Sequence, residues 1–193
     1  MRKIPDKYEN PIDNVFLNIA DKVQSKFYEN GFTPNMVTTL SLLCIVVASA
    51  LLFKGQYILA AILILLGYFF DCLDGHLART YNMVSSFGDY YDHISDICKV
   101  IILMVTFFIL DCNKFYRILP YAIAISAFML VHLGCQEIYY TKSSNTNGDS
   151  LSSLKVLCPS SGKHINSVIS YTRFFGCGTA NLFLALVAIY YGC

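Results

Sequence analysis

Five long apolar runs constrain this chain more than any other feature. They cover Met36 to Phe53, Tyr57 to Phe70, Ile97 to Leu110, Phe115 to about Gln136, and Val168 to Tyr191. A bilayer's hydrocarbon is crossed by roughly twenty helical residues, and the shorter runs reach that length by extending into polar sequence, as the third does from near Gly88. No water is available there, so every backbone amide must find its partner within the segment, which a helix provides. Composition agrees: 55% of the 193 residues are hydrophobic and 14% charged, where a soluble domain carries about 25% charged. The expected fold is therefore all-α, a polytopic membrane helix bundle of five transmembrane helices. A sixth arises if Leu151 to Phe175 adds a short, partly polar helix. Residues 1–193 are expected to form a single domain.

Ahead of the first run, residues 10–31 place Ile12, Val15, Phe16, Ile19, Val23 and Phe27 at helical spacing. Asp13, Asn14, Asn18, Asp21, Lys22 and Lys26 take the other face. This pattern predicts an N-terminal amphipathic helix lying in the membrane interface. Gly31 ends it, and Thr33-Pro34-Asn35 opens the first span with proline in the first turn, where its missing N–H costs nothing. The first thirty residues are polar and charged and carry no cleavable signal-peptide pattern. Residues 139–166 are rich in Ser, Asn and Gly and include Lys142, Lys155 and Lys163, which predicts a mobile loop.

Charge sets the expected orientation. With the amino terminus in the cytosol, ten of the fourteen Lys and Arg residues lie on or near the cytosolic side, three lie outside, and Lys99 sits within the third span. The 139–166 loop and the segment from Asp71 to Asp96 then face the cytosol. The sequence points to an integral, multi-pass membrane protein and leaves endoplasmic reticulum and plasma membrane equally open. A net charge of +1 without a basic run excludes nucleic acid as a partner. The eight cysteines include no CxxC pair and fall mostly in or beside apolar runs, so they are expected to pack as small hydrophobes. Tyr68-Phe69-Phe70, Tyr139-Tyr140 and Tyr190-Tyr191 are expected to form interfacial belts.

The acids are concentrated. Five of the thirteen Asp and Glu residues lie between Asp71 and Asp96. Asp71 and Asp74, three apart, share a helix face at the end of the second run, with Ala78 continuing it. Gly88, Asp92 and Asp96 follow at intervals of four, with Gly88 leaving room one turn from Asp92. Two antiparallel helices would thus turn four carboxylates towards each other at a low-dielectric boundary, where unpaired charge is expensive. Bound cations are the expected compensation. An oxygen-only ligand set favours Mg²⁺ or Mn²⁺, and two such ions about 4 Å apart suit phosphoryl chemistry. Asp89 falls outside this spacing and is expected to be solvated. Lys99 is expected to snorkel or pair locally, and His76 and His93 to lie at the surface or in helix packing.

The run Asp71-x2-Asp74-Gly75-x2-Ala78-Arg79-x8-Gly88-x3-Asp92-x3-Asp96 resembles the signature of the CDP-alcohol phosphatidyltransferase family at each defining position. The likeness covers roughly residues 10 to 110. It implies an enzyme of phospholipid biosynthesis that transfers a phosphatidyl group from CDP-diacylglycerol, or another CDP-linked donor, to a small polar alcohol and releases CMP. It implies two divalent ions, Mg²⁺ or Mn²⁺, held by Asp71, Asp74 and Asp92. By the same likeness Asp96 completes the metal site and acts as catalytic general base. Asp74, Gly75, Ala78, Arg79 and Gly88 would meet the nucleotide. Membrane lipid is an implied partner, and so is a second copy of the chain in a homodimer. Arg173, just inside the last span, is a candidate for holding an acceptor or lipid phosphate. The run Tyr91-Asp92-His93 slightly resembles the branch that transfers phosphocholine or phosphoethanolamine from a CDP derivative to diacylglycerol. A cation-transport protein is the alternative from another class, but its ion path would need polar groups deep in several spans, whereas these acids stop at one boundary.

Overall fold

The computed structural model describes residues 4–144, 150–160 and 164–193. Its regular elements are all helical: α1 (Pro11–Glu29), α2 (Pro34–Phe53), α3 (Tyr57–Thr80), α4 (Ser86–Leu110), α5 (Cys112–Ser144), α6 (Ile165–Thr172) and α7 (Cys177–Tyr190). Two 3-10 stretches, Ser150–Leu157 and Arg173–Phe175, join the later helices. Among the described residues five stretches are long and apolar enough to cross a membrane: α2, α3, α4, Cys112–Thr141 and Ile165–Tyr190. The described residues thus supply five candidate spans. Residues 151–175, where a sixth was possible, supply a 3-10 helix and the first part of the last span. That span is interrupted at Gly176, whose backbone is extended between the 3-10 turn and α7.

Local chemistry sets the helix ends. Gly31 and Gly55 adopt left-handed backbone (φ 78° and 71°) after α1 and α2, where a side chain would be strained. The Thr33 hydroxyl accepts from the Met36 amide at 3.3 Å and caps α2, with Pro34 in the first turn. Between α3 and α4 the chain reverses at Asn82 (φ 54°), a residue type that tolerates this conformation. Ser85 then caps α4, its hydroxyl accepting from the Gly88 amide at 3.0 Å.

Contacts gather into two units. One comprises Phe16–Pro120 and Asn181–Cys193. Its apolar core runs through Ile45, Leu52, Ile64, Leu103, Phe107 and Ala188. The helices α2 and α3 pack closely because Gly67 has no side chain; a Cβ there would lie 3.2 Å from the Ser41 carbonyl oxygen and 3.3 Å from Cys44 Cβ. A second apolar cluster, Ala20, Val37, Leu73 and Leu77, seats α1 against α2 and α3. His76 Nε2 lies 2.7 Å from Asp21 Oδ1 and ties α1 to the same end of α3, so His76 is a helix-packing histidine. On α1 the apolar residues divide between two sides. Leu17 and Ala20 turn inward, whereas Val15 and Ile19 are exposed. An amphipathic helix seated on a membrane bundle has two apolar neighbours, protein and lipid, and its apolar residues divide between them.

The other unit comprises residues 4–15 and Tyr121–Ala180. Its core is unexpectedly polar. Asn10 caps α1 and donates from Nδ2 to the Arg173 carbonyl at 2.7 Å and to Thr179 Oγ1 at 2.8 Å. Gln136 Nε2 donates to Glu9 Oε1 (3.0 Å) and to His132 Nε2 (3.1 Å), which leaves the imidazole proton on Nδ1 to bond Thr172 Oγ1 at 3.0 Å. Gly176 packs tightly here, since a Cβ would lie 2.9 Å from Asn10 Cβ. Cys135 and Cys158 form a disulfide, so these two depart from the expectation of packing cysteines, while Cys44, Cys72, Cys98, Cys112, Cys177 and Cys193 are not disulfide-bonded. The 139–166 loop is shorter than expected: α5 continues to Ser144, Ser150–Leu157 is 3-10 helix, and α6 begins at Ile165. Its stretches 145–149 and 161–163 lie outside the described residues.

Candidate active site

The helix α3 continues for ten residues beyond Phe70, so Asp71, Asp74, Gly75, Ala78 and Arg79 all lie on it. Gly88, Asp92 and Asp96 lie on the first three turns of α4. After the tight reversal at Asn82, α4 packs against α2, as α3 does, which brings the start of α4 and the end of α3 to the same site. One carboxylate oxygen each from Asp71, Asp74 and Asp92 then fall within 4.8 Å of one another.

Their surroundings make the grouping costly without a cation. Asp74 is buried and accepts a 2.5 Å hydrogen bond from Thr38 Oγ1 on α2. Asp92 Oδ1 is buried and has no hydrogen-bond partner among the described residues. An unsatisfied buried acceptor costs about 1–3 kcal/mol, more when charged, and three carboxylates at this spacing also repel. A hard cation among them would relieve both penalties. The donor set, oxygen atoms alone with no His or Cys, fits Mg²⁺ or Mn²⁺.

Asp96 stands apart from the three. Its side chain is 51% exposed and its Oδ1 accepts from Lys99 Nζ at 2.7 Å. The same ammonium pairs with Asp71 and donates to Ser41 Oγ at 3.0 Å. Lys99 does pair with its neighbour Asp96, but it also reaches across to α3 and α2, which its place in an apolar run did not suggest. Ser41 and Thr38, three apart on α2, likewise escaped the sequence pattern. Their one signal was a pair of hydroxyls on one face of an apolar helix, and such pairs commonly bond their own backbone.

The small residues of the motif sit where backbone is approached closely. A Cβ on Gly75 would lie 3.1 Å from Arg79 Nη1, so the guanidinium folds over the bare backbone of that glycine. A Cβ on Gly88 would lie 3.1 Å from both Asn35 Oδ1 and Ser85 Oγ. Ala78 is partly buried one turn beyond Asp74. Asp89 is at most half-exposed, and its carbonyl oxygen lies 2.7 Å from His93 Nδ1. Tyr91 OH lies 2.9 Å from Thr39 Oγ1. Arg173 belongs to the polar-cored unit. It donates from Nη1 to the Lys7 carbonyl at 2.6 Å, its guanidinium carbon lies 4.8 Å from the Phe174 ring centre, and its buried Nε has no hydrogen-bond partner among the described residues.

Comparison with known proteins places this site in context. The sequence model of the family described as CDP-alcohol phosphatidyltransferase matches residues 32–152. The chain is 33% identical over 96 residues to an archaetidylinositol phosphate synthase of Pyrococcus horikoshii, covering 50% of this chain and 47% of that protein. It is 36% identical over 70 residues to an uncharacterized protein of Aquifex aeolicus, covering 36% of each. The chain thus matches less than half the length of either relative. No solved structure matches.

Proposed function

The chain belongs to the CDP-alcohol phosphatidyltransferase family, and from that premise we propose that it is a membrane enzyme of phospholipid synthesis, transferring a phosphatidyl group from CDP-diacylglycerol to a small polar alcohol and releasing CMP. The observation that carries this reading is the meeting of Asp71, Asp74 and Asp92 at one end of α3 and α4, with Asp92 Oδ1 buried and without a hydrogen-bond partner among the described residues.

In this reading Asp71, Asp74 and Asp92 hold the divalent cation, Mg²⁺ or Mn²⁺. When bound, it neutralises the donor's diphosphate and the CMP that leaves. Asp96 is open to solvent, as a group meeting a soluble alcohol must be, and it acts as general base on the acceptor hydroxyl. The acceptor oxygen bonds to the lipid-side phosphorus, the bond from that phosphorus to the CMP oxygen breaks, and CMP leaves with the electron pair. Gly75, Gly88, Ala78 and Asp74 border the cytidine nucleotide, and Arg79, folded over Gly75, supplies the positive charge at that end. Arg173 is proposed as an anchor for lipid or acceptor phosphate. Ile94, Ile97 and Ile101 on α4 are exposed beside the site, an apolar surface on which the donor's acyl chains can remain in lipid. The excess of positive charge on one side supports a site facing the cytosol.

The name of the Pyrococcus relative makes inositol and inositol phosphate the first acceptors to try. The test is CMP release by purified protein in detergent with CDP-diacylglycerol, Mg²⁺ or Mn²⁺, and a panel of alcohols, beside Asp96→Asn. Removing a general base lowers rates by about 10²–10⁴-fold, which is the expected loss. Folded protein silent with every alcohol, or an Asp96→Asn variant of full activity, refutes the reading.

A further inference from the structure

An ammonium group has three N–H bonds. Those of Lys99 meet Asp71, Asp96 Oδ1 at 2.7 Å and Ser41 Oγ at 3.0 Å, acceptors on three different helices. The side chain is only 12% exposed. A lysine near a membrane boundary ordinarily extends its charge towards water. This one is turned into the site and fully bonded there, so it is a fixed part of the charge arrangement. The four motif carboxylates divide accordingly. Asp71, Asp74 and Asp92 converge within 4.8 Å, and Asp96 is joined to Asp71 through Lys99.

Building on the metal site of the proposed function, we propose that the Lys99 ammonium occupies the second cation position, between Asp71 and Asp96. The chain then takes one divalent ion, at Asp71, Asp74 and Asp92, instead of the two that its four aspartates alone would suggest. Charge supports this. Four carboxylates are already neutralised by two divalent ions, and a buried ammonium bonded to two of those carboxylates would add an excess positive charge in a low-dielectric place. One divalent ion and one ammonium leave a single negative charge, without the excess positive charge that two ions and the ammonium would bring together. Geometry supports it too. A second ion bridging Asp71 and Asp96 would have to displace Lys99 from both carboxylates.

The test counts Mn²⁺ bound to the purified full chain in detergent, by titration against the paramagnetic signal of the free ion. It needs no substrate and no turnover. The wild type is expected to bind one ion, Lys99→Arg one, and Lys99→Met and Lys99→Gln two, since removal of the ammonium opens the place between Asp71 and Asp96. Two ions in the wild type overturn the inference and leave the carboxylate metal site standing. One ion in folded Lys99→Met and Lys99→Gln also overturns it, because the vacated position then attracts no cation. No ion in any of the proteins overturns the metal site itself and this inference with it.

Discussion

Thr38→Val probes how the site is held ready for a cation. Thr38 Oγ1 lies 2.5 Å from Asp74 Oδ2 and 3.2 Å from the Pro34 carbonyl oxygen. A hydroxyl has one proton, and it goes to the nearer, charged acceptor. Both side chains are almost completely buried, Thr38 at 2% and Asp74 at 3% exposure, so water cannot replace the lost donor. Valine keeps the shape and removes only the hydroxyl. A hydrogen bond to a charged group is worth about 1.5–3 kcal/mol. At 1.4 kcal/mol per tenfold, that corresponds to roughly 10–100-fold in the equilibrium that needs Asp74 aimed at Asp71 and Asp92. Outer partners of metal ligands typically change affinity by the same factor, about 10–100-fold. An opposing effect exists: a carboxylate deprived of its donor has a greater need of a cation. Orientation is expected to win, because a freed Asp74 can turn away before the ion arrives. The expected result is Mn²⁺ affinity lower by about 10–100-fold, with most of the CMP-release rate regained at saturating Mn²⁺ and normal affinity in Thr38→Ser. A folded Thr38→Val that binds Mn²⁺ as tightly as the wild type, or more tightly, refutes the reasoning.

Two other perturbations test the frame around the site. Gly67→Leu places side-chain atoms where a Cβ alone would already lie 3.2 Å from the Ser41 backbone oxygen. It should lower stability by about 1–3 kcal/mol, read as an earlier unfolding midpoint in mixed micelles, and should reduce CMP release by parting α2 from α3; an unchanged midpoint would show that the helices are not in close contact. Reducing Cys135–Cys158, which closes a separation of 23 residues, should cost about 3 kcal/mol by the chain-entropy argument. A thermal midpoint indifferent to reductant, in protein whose thiol count confirms reduction, would remove the disulfide from the stability of that unit.

The spans and the motif were legible because each depends on local rules. A run of apolar residues has few structural options in a bilayer, and fixed gaps of three and four place the aspartates on one helix face whatever surrounds them. The partners of those aspartates were less legible, because Thr38 and Ser41 acquire meaning only when α2 docks, and docking depends on Gly67 and a close approach that leaves no periodic trace. Lys99 was misjudged in part for the same reason: the bond to Asp96 is visible at a spacing of three, but the bonds to Asp71 and Ser41 are not. The buried polar network of Glu9, Asn10, His132 and Gln136 was missed because it joins positions more than 120 residues apart. On α1 the apolar stripe was legible, but not which of its residues face protein and which are exposed, because protein and lipid both attract apolar side chains.

The arrangement of charge along the first unit also bears on whether these acids could serve ion transport. A conducting path needs polar groups that continue past the entrance. Beyond the aspartates, the helices of this unit meet through Ile45, Leu52, Ile64, Leu103 and Phe107, all buried. The buried polar side chains at that depth are hydroxyls, Ser49 on α2 and Thr106 on α4, and Thr106 already donates to the Ile102 carbonyl of its own helix at 2.7 Å. An ion leaving the carboxylates in that direction would meet hydrocarbon. In the other direction it meets Asp96, half open to solvent. A site closed on its inner side by apolar packing and open at its outer edge can bind, react and release at one surface, but it offers a cation no second exit. The same closure would suit the proposed phosphatidyl transfer: it would confine the charged diphosphate to the headgroup level, where Asp96 could meet an alcohol arriving from water, while the apolar side chains around the bundle would face the acyl chains.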